Sequence, residues 1–285
     1  MEEKILNLQE RIKSRNSENE VHEYIPRVFF SKVGELYEFI YYGEGYDDSA
    51  EPISEFDEDV GMYGFSATQE FLIENADRFR SIKFEGEDTG ANGTKEWNFS
   101  RLANANVVFE NLKDFSVQLM DVGDHNHVII GEEDFKEDGM IAKLVSKMPN
   151  LEFLQMPSAP NKDFFELPNL KIRALVIQAG YGHQNFIENL ATSNNLPNLG
   201  CLDFSNPYDY NSGADITSFE SYKKLFSSKI FSQRLHFKLR ENSLEKLELL
   251  ELKKLADIQF LHIPTELGEY IEDRLSRYSF DVDEK

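Results

Sequence analysis

The sequence is poor in cysteine, in long apolar runs and in positive charge. One cysteine stands among 285 residues; no internal disulfide can therefore form, which favours a reducing compartment and excludes a small disulfide-stapled secreted fold. No stretch approaches the ~18 apolar residues of a membrane-spanning helix. The acidic start "MEEKILNLQERIKS" is unlike a secretory signal. We therefore expect a cytoplasmic protein with no membrane partner.

The charge balance is strongly acidic. Lys and Arg number 30 against 52 Asp and Glu, which gives a formal net charge of −22. Such a chain repels nucleic-acid backbones, so we expect no nucleic-acid partner. The charge leaves open a decoy role, in which the protein binds basic nucleic-acid-binding proteins in a salt-sensitive way. Hydrophobic residues still make up 40% of the chain, including 23 Phe, which is enough for a continuous core.

A short apolar template recurs along the chain. In "LPNLGCLDF" it places Leu199, Leu202 and Phe204, with Leu202 in the middle position. Further copies occur in "RFRSIKF", "FENLKDFSV", "MPNLEFLQM", "LPNLKIRALVIQ", "ADIQFLHI" and, more weakly, "SQRLHFKL". Their middle residues are Ile82, Phe115, Leu154, Leu175, Leu261 and Leu235. Recurrence at a unit-sized spacing indicates a repeat architecture.

Stretches with the period of a helix lie between these copies. They are "GMIAKLVSKM", "QNFIENLATS" and "FESYKKLF". The segment "SLEKLELLELKKL" also fits the strand template, but it follows the preceding copy too closely for a unit that carries a helix. We therefore interpret residues 243–255 as a helix before the last strand. Alternating strands and helices at roughly 20 to 40 residues per unit predict an α/β solenoid.

Because "LPNL" precedes two of the copies and the apolar spacing recurs, the chain resembles the irregular bacterial cytoplasmic leucine-rich repeat proteins. The resemblance implies a right-handed solenoid with a parallel β-sheet on its concave side and helices on its convex side. We expect one continuous domain, with an N-terminal cap over 1–70, repeats over 71–263 and a C-terminal cap helix over 264–285. The family's asparagine or cysteine after each strand is mostly absent, and Pro207 occupies that place after "LPNLGCLDF".

The two ends differ from the repeats. The first 70 residues predict a helix, a strand at "LYEFIYY" and an acidic loop from Asp47 to Asp59. This loop lacks the alternating ligands and central glycine of an EF-hand, so we interpret it as a solvated loop. The segment "ELGEYIEDRLSRYSF" predicts the closing helix. The inward residues of these two helices would be Ile5, Leu8, Ile12, Ile271 and Leu275.

The chain offers few candidates for catalysis. A nucleophilic thiol needs a histidine, a cation or a helix N-terminus that lowers its pKa. Asp203 would act on Cys201 in the opposite direction, so we predict no catalytic residue. The alternative is a metal-dependent hydrolase that uses His125 and His127 in "DHNH" with nearby carboxylates, because two histidines at i and i+2 on a strand can share a metal. No third ligand is fixed, and we interpret this stretch as a surface insertion, so no metal or cofactor is assigned.

The predicted sheet offers a better candidate site. Side chains alternate along a strand, so the residue between two inward apolar positions faces outward. This row contains Lys83, Ser116, Gln155, Val176, Asp203, His236 and His262, and Phe153, Arg234, Lys238 and Phe260 flank it. Its C-terminal part is basic and aromatic, which suits an acidic or phosphorylated partner. We expect a non-enzymatic scaffold that binds an unidentified protein or peptide on the concave face.

Overall fold

The computed structural model of the protein describes residues 1–17, 26–45, 63–86, 94–120, 127–131, 137–179, 182–206, 216–232, 235–240, 244–255, 260–264 and 270–274. For 260–264 and 270–274 the description covers the backbone alone. The described residues form a mixed α/β fold with a large, mostly parallel sheet and helices. They belong to two compact units, Met1–Pro157 and Ser158–Lys285. Within the described segments, no helix has both the length and the apolar character that a membrane crossing requires.

The first unit contains four α-helices and seven strands in its described part. These are α1 (Glu2–Ser17), β1 (Arg27–Val33), β2 (Leu36–Tyr42), α2 (Phe65–Glu74), a 3-10 turn (Ala76–Arg78), β3 (Phe79–Glu85), β4 (Thr94–Trp97), α3 (Ser100–Asn104), β5 (Asp114–Val117), β6 (His127–Ile130), α4 (Met140–Ser146) and β7 (Phe153–Met156). The sheet runs in the order β1-β2-β3-β5-β7. Strands β1 and β2 pair antiparallel, and the other pairs are parallel. Strands β4 and β6 form a separate parallel pair.

The predicted first helix and the strand at "LYEFIYY" are confirmed as α1 and β2. The apolar face of α1 is buried at Ile5, Leu8 and Ile12, as its period requires. Strand β1 is the outermost strand of this sheet. The backbone N–H of Val28 in β1 donates a 2.7 Å hydrogen bond to the side-chain oxygen of Gln9, so α1 supplies an acceptor along the sheet edge.

The repeat register predicted for β3, β5 and β7 is confirmed. Ile82 pairs with Phe115, and Phe115 pairs with Leu154; all three side chains are fully buried. The sequence pattern did not predict β4, which contributes the fully buried Trp97. Its ring packs in an aromatic cluster with Tyr41, Phe65, Phe84 and Phe99. Burial of this many rings gives the first unit a large apolar core.

The second unit repeats a strand and helix pattern. Its described elements are α5 (Lys162–Glu166), β8 (Ala174–Gln178), α6 (Phe186–Thr192), β9 (Cys201–Ser205), α7 (Phe219–Phe226), α8 (Lys229–Ser232), β10 (His236–Arg240), α9 (Lys246–Leu255), β11 (Phe260–Pro264) and β12 (Tyr270–Arg274). Strands β8, β9 and β10 pair in parallel, with β9 in the middle. Leu175 aligns with Leu202 as predicted, and both are buried.

The predicted register of β10 is wrong by two residues. Phe237, not Leu235, pairs with Leu202, and Leu235 is buried just before the strand begins. The segment "LHFKL" alternates three apolar residues, so two registers fit it equally well. Because a two-residue shift keeps the same side chains inward, burial of Phe237 and Leu239 in the β9 pairing decides between them.

The C-terminal predictions have mixed outcomes. The helix predicted over 243–255 is confirmed as α9, with Leu249 and Leu252 buried and Leu247 exposed. The closing helix predicted over 264–285 is wrong at Tyr270–Arg274, which form β12 antiparallel to β11. Pairing satisfies the backbone groups of both strands, which overrides the local helical pattern. Leu275 and the acidic loop from Asp47 to Asp59 lie outside the described residues.

Candidate functional site

Three strands of the second unit present their side chains in aligned rows. Inward residues of β8, β9 and β10 are buried, while most outward residues are partly exposed. The outward rows are Ala174-Cys201-His236, Val176-Asp203-Lys238 and Gln178-Ser205-Arg240. Val176 and Asp203 therefore lie side by side as predicted. The third member of their row is Lys238, whereas His236 lies one row away beside Cys201, contrary to the prediction.

Asp203 connects two cations on the neighbouring strand. Its Oδ1 accepts a 2.6 Å hydrogen bond from Nε of Arg240, and its Oδ2 lies 3.4 Å from Nζ of Lys238. The side chain of Lys238 is 38% exposed, against 16% for Arg240. We call Asp203, Lys238 and Arg240 the ion cluster. Both cations come from the same strand face, because residues 238 and 240 are separated by two.

Arg240 is a site residue that the sequence reasoning missed. The predicted register took Leu235 as the middle apolar residue of the strand. In that register the last outward residue was Lys238, and the predicted strand ended at Leu239. The alternation in "HFKLR" contains the needed signal, because it extends the outward positions from His236 through Lys238 to Arg240. One nitrogen of the Arg240 guanidinium, Nη2, is buried and has no hydrogen-bond partner within the described part of the chain.

The outward rows of β8 to β10 are locally positive on an acidic chain. Asp203 carries the only negative charge among these nine positions, and Lys238 and Arg240 carry two positive charges. The β8 positions, Ala174 and Val176, are uncharged and partly exposed. A local excess of positive charge attracts anionic groups at short range, even though the formal net charge of the chain is −22.

Cys201 lies beside His236 in its row, but the pKa of its thiol is shifted away from that of a nucleophile. The thiol is partly exposed on β9, and desolvation by burial raises its pKa. A raised pKa lowers the thiolate fraction at neutral pH, which is the opposite of what nucleophilic catalysis requires. The direction of this pKa shift therefore counts against a nucleophilic role for Cys201.

The outward residues of β3, β5 and β7 are aligned as predicted. Most of their side chains are buried or already make contacts within the protein. Lys83 pairs with Ser116, and Ser116 with Gln155, across β3, β5 and β7. Lys83 forms an ion pair with Glu85 on its own strand. Ser116 is buried, with 8% exposure, and Gln155 donates a 3.1 Å hydrogen bond from Nε2 to the carbonyl of Val117.

Several predicted site residues lie beyond what the structure describes. Arg234 and His125 are outside the described residues, and for Phe260, His262 and His127 the side chains are not described. Phe260 and His262 belong to β11, and His127 begins β6. The residues after His127 are the buried Val128, Ile129 and Ile130. Strand β6, which pairs with β4, is therefore buried after His127, whereas residues 124–126 of "DHNH" lie outside the described residues, so the interpretation as a surface insertion stays a prediction.

Other parts of the described chain offer less for ligand binding. A depression of about 300 Å³ lies between α1 and α2, but its charges are partly committed, since Lys4 Nζ donates to Asn75 and Glu70 pairs with Arg101. The segment "QAGYGHQN" ends in a turn at Asn185, whose φ of 52° is left-handed. No group of three or more His, Cys, Asp or Glu residues suited to a metal occurs among the described residues.

Buried polar residues follow strand β9. Asn206 is 2% exposed, and its Oδ1 accepts a 2.7 Å hydrogen bond from the backbone N–H of Thr217. The sequence reasoning considered Pro207 as the residue after this strand and missed Asn206. Nearby on α7, Ser221 donates a hydrogen bond to Glu188, and burial raises the pKa of the Tyr222 hydroxyl. These contacts join the residue after β9 to the segment before α7, and α7 to α6.

Comparison with known proteins gives no relative for the chain. No protein-family model matches it, and no curated protein sequence is significantly similar to it. Functional inference therefore depends on the residues and their geometry.

Proposed function

We propose that the protein is a non-enzymatic interaction scaffold, a cytoplasmic leucine-rich repeat solenoid that binds a protein or peptide on the concave side of its sheet. The repeat assignment is supported by strands that align on the predicted apolar residues. These alignments are Ile82 with Phe115 and Leu154 in the first unit, and Leu175 with Leu202 in the second. In a solenoid, neighbouring repeats stack and hold such a surface rigid, which lowers the entropy cost of binding.

One observation supports the binding face above the others. In the row Val176-Asp203-Lys238, the side chains are in register, partly exposed and chemically different from the buried apolar rows beside them. Such a row offers apolar, acidic and basic contacts at strand spacing, about 4.8 Å apart.

Position-specific photo-cross-linking tests this function. A photoreactive amino acid would replace Val176 or Ser81 on the outward sheet faces, and Lys224 or Lys143 on exposed helix positions as matched controls. The tagged variants would be irradiated in native lysate and the adducts identified by mass spectrometry. We expect a discrete adduct from the sheet positions and none from the helix positions. Adducts from the helix positions alone, or from no position, would contradict the proposed face.

A further inference from the structure

We propose that the ion cluster is a carboxylate-binding site for an acidic peptide segment of a protein partner, with Asp203 holding the two cations in position when that segment is absent. This inference depends on the proposed function, because it assigns a partner chemistry to the same face. It adds a specific pair of binding residues, Lys238 and Arg240, and a specific role for the carboxylate between them.

The geometry of Asp203 shows which chemistry the cations accept. One carboxylate reaches both cations at once, with 2.6 Å to Arg240 Nε and 3.4 Å to Lys238 Nζ. A carboxylate from a partner has the same planar pair of acceptor oxygens and carries the same charge. The site already accommodates the group that we assign to the ligand, which favours a carboxylate over a phosphate.

The cluster retains hydrogen-bonding capacity after Asp203 is bound. An ammonium group has three donors, and the side chain of Lys238 is 38% exposed, so solvent and ligands reach it. The Nη2 atom of Arg240 is buried, with no acceptor among the described residues, and is less accessible than the ammonium group of Lys238. An incoming carboxylate would therefore first meet the exposed ammonium group of Lys238.

The charge of the surrounding face supports the same partner. Two cations against one carboxylate leave a positive excess, and the neighbouring β8 positions Ala174 and Val176 add no charge. The partly exposed side chains of these two residues are small, so an extended backbone can approach the face closely beside the cations. The formal net charge of −22 disfavours binding of acidic segments elsewhere on the chain.

Fluorescence anisotropy with the full-length protein tests the proposal. The probe is a fluorescein-labelled ten-residue peptide that alternates Glu with Val, and the control peptide has Gln in place of Glu. We expect the Glu peptide to bind at least tenfold more tightly than the Gln peptide. We expect Lys238→Glu to weaken binding of the Glu peptide at least tenfold, and Lys238→Gln to weaken it severalfold. Lys224→Glu, on the exposed side of α7, is the matched control and should have no effect.

The variant Asp203→Asn tests whether the Asp203 carboxylate competes with the ligand for the two cations or only stabilises the fold. If Asp203 occupies the cations in place of the ligand, removal of its charge should tighten binding of the Glu peptide severalfold. Weaker binding by a variant with an unchanged circular dichroism spectrum would overturn this role. Arg240→Gln should weaken binding as Lys238→Gln does, and circular dichroism should report a folded protein for each variant.

The outcomes distinguish this inference from the proposed function. Equal binding of the Glu and Gln peptides, or wild-type affinity in Lys238→Glu, would overturn the carboxylate site. Binding of a phosphoserine peptide at least tenfold more tightly than the Glu peptide would also overturn it, in favour of a phosphate ligand. If either occurs while Val176 still gives a cross-linked adduct, the binding face stands and the partner chemistry is wrong. Loss of the adduct from the sheet positions would contradict the face itself.

Discussion

Nε of Arg240 on β10 donates a 2.6 Å hydrogen bond to Oδ1 of Asp203 on β9. The two residues lie on neighbouring parallel strands and are offset by two positions, since Lys238 is the direct partner of Asp203. The side chains of Asp203 and Arg240 are 22% and 16% exposed, so water screens this contact only in part. The pair thus links the two strands across their outward face.

A double-mutant cycle should detect this link. We expect Asp203→Asn and Arg240→Gln to be coupled by about 1 kcal/mol, the upper part of the range for surface pairs, because both side chains are largely buried. The coupling between Asp203 and Lys238 should be smaller, since their distance is 3.4 Å and Lys238 is more exposed. Urea unfolding of single and double variants measures both values. Equal couplings would show that burial does not strengthen the Arg240 contact.

Two leucines on α9 should respond differently to truncation. Leu249 is buried and Leu247 is 76% exposed, which a helix explains and a strand does not, because residues two apart share one strand face. We expect Leu249→Ala to lower the free energy of unfolding by about 2–4 kcal/mol and Leu247→Ala to change it by about 0.5 kcal/mol or less. Similar losses in urea titrations would instead indicate the strand register.

Asp114 should destabilise the protein at neutral pH. Desolvation by burial, with Glu152 and Glu38, raises the pKa of its carboxyl and outweighs the opposing effect of the Arg80 charge. A carboxyl whose folded-state pKa is raised favours folding when protonated, and this contribution falls as the pH rises from below the unfolded value through the folded pKa. Asp114→Asn should therefore raise the urea midpoint at pH 7.

The pH dependence provides the control for Asp114. At pH 3, where the wild-type carboxyl is largely protonated in both states, the gain from Asp114→Asn should shrink. Urea titrations of both proteins at the two pH values make this comparison. A lower midpoint for the variant at pH 7 would mean that the Asp114 carboxylate makes a favourable contact that outweighs its desolvation.

Cys201 should react slowly with alkylating reagents. Burial raises the pKa of its thiol, so a smaller fraction is thiolate near pH 7.5 than in the unfolded chain. We expect iodoacetamide to modify the native protein more slowly than the urea-unfolded protein. Because the chain has one cysteine, intact-mass spectrometry follows this site directly. Faster modification of the native protein would indicate an activated thiol.

The predictable part of the fold is the part fixed by local apolar spacing. Burial of Leu154 and Leu202 in parallel strands follows from the template, and α9 follows from its distance to the preceding copy. Strand β10 shows the limit, since Phe237 and Leu235 are both apolar with the same alternation. The choice between them depends on pairing with β9, which is long-range information that the local pattern does not contain.

The candidate site was predictable to a similar extent. Alternation placed Val176, Asp203 and Lys238 on the outward face, but the contact that joins Asp203 to Arg240 depends on the β10 register. Strand β12 was missed for a related reason: its pairing partner β11 determines its conformation, whereas the local spacing of Ile271 favoured a helix. Strand pairing, which the local apolar pattern does not contain, therefore accounts for both errors.

The hydrogen bond from Val28 to Gln9 affects how this protein meets other chains. An outermost strand with unoccupied backbone donors can recruit a strand from another molecule and so begin aggregation. Here an incoming strand would first have to displace an amide oxygen that already occupies the donor at Val28. Residues Arg27 and Lys32, charged and exposed on the same strand, add a desolvation cost to that exchange. The first helix thus hinders the addition of a foreign strand at this position of β1.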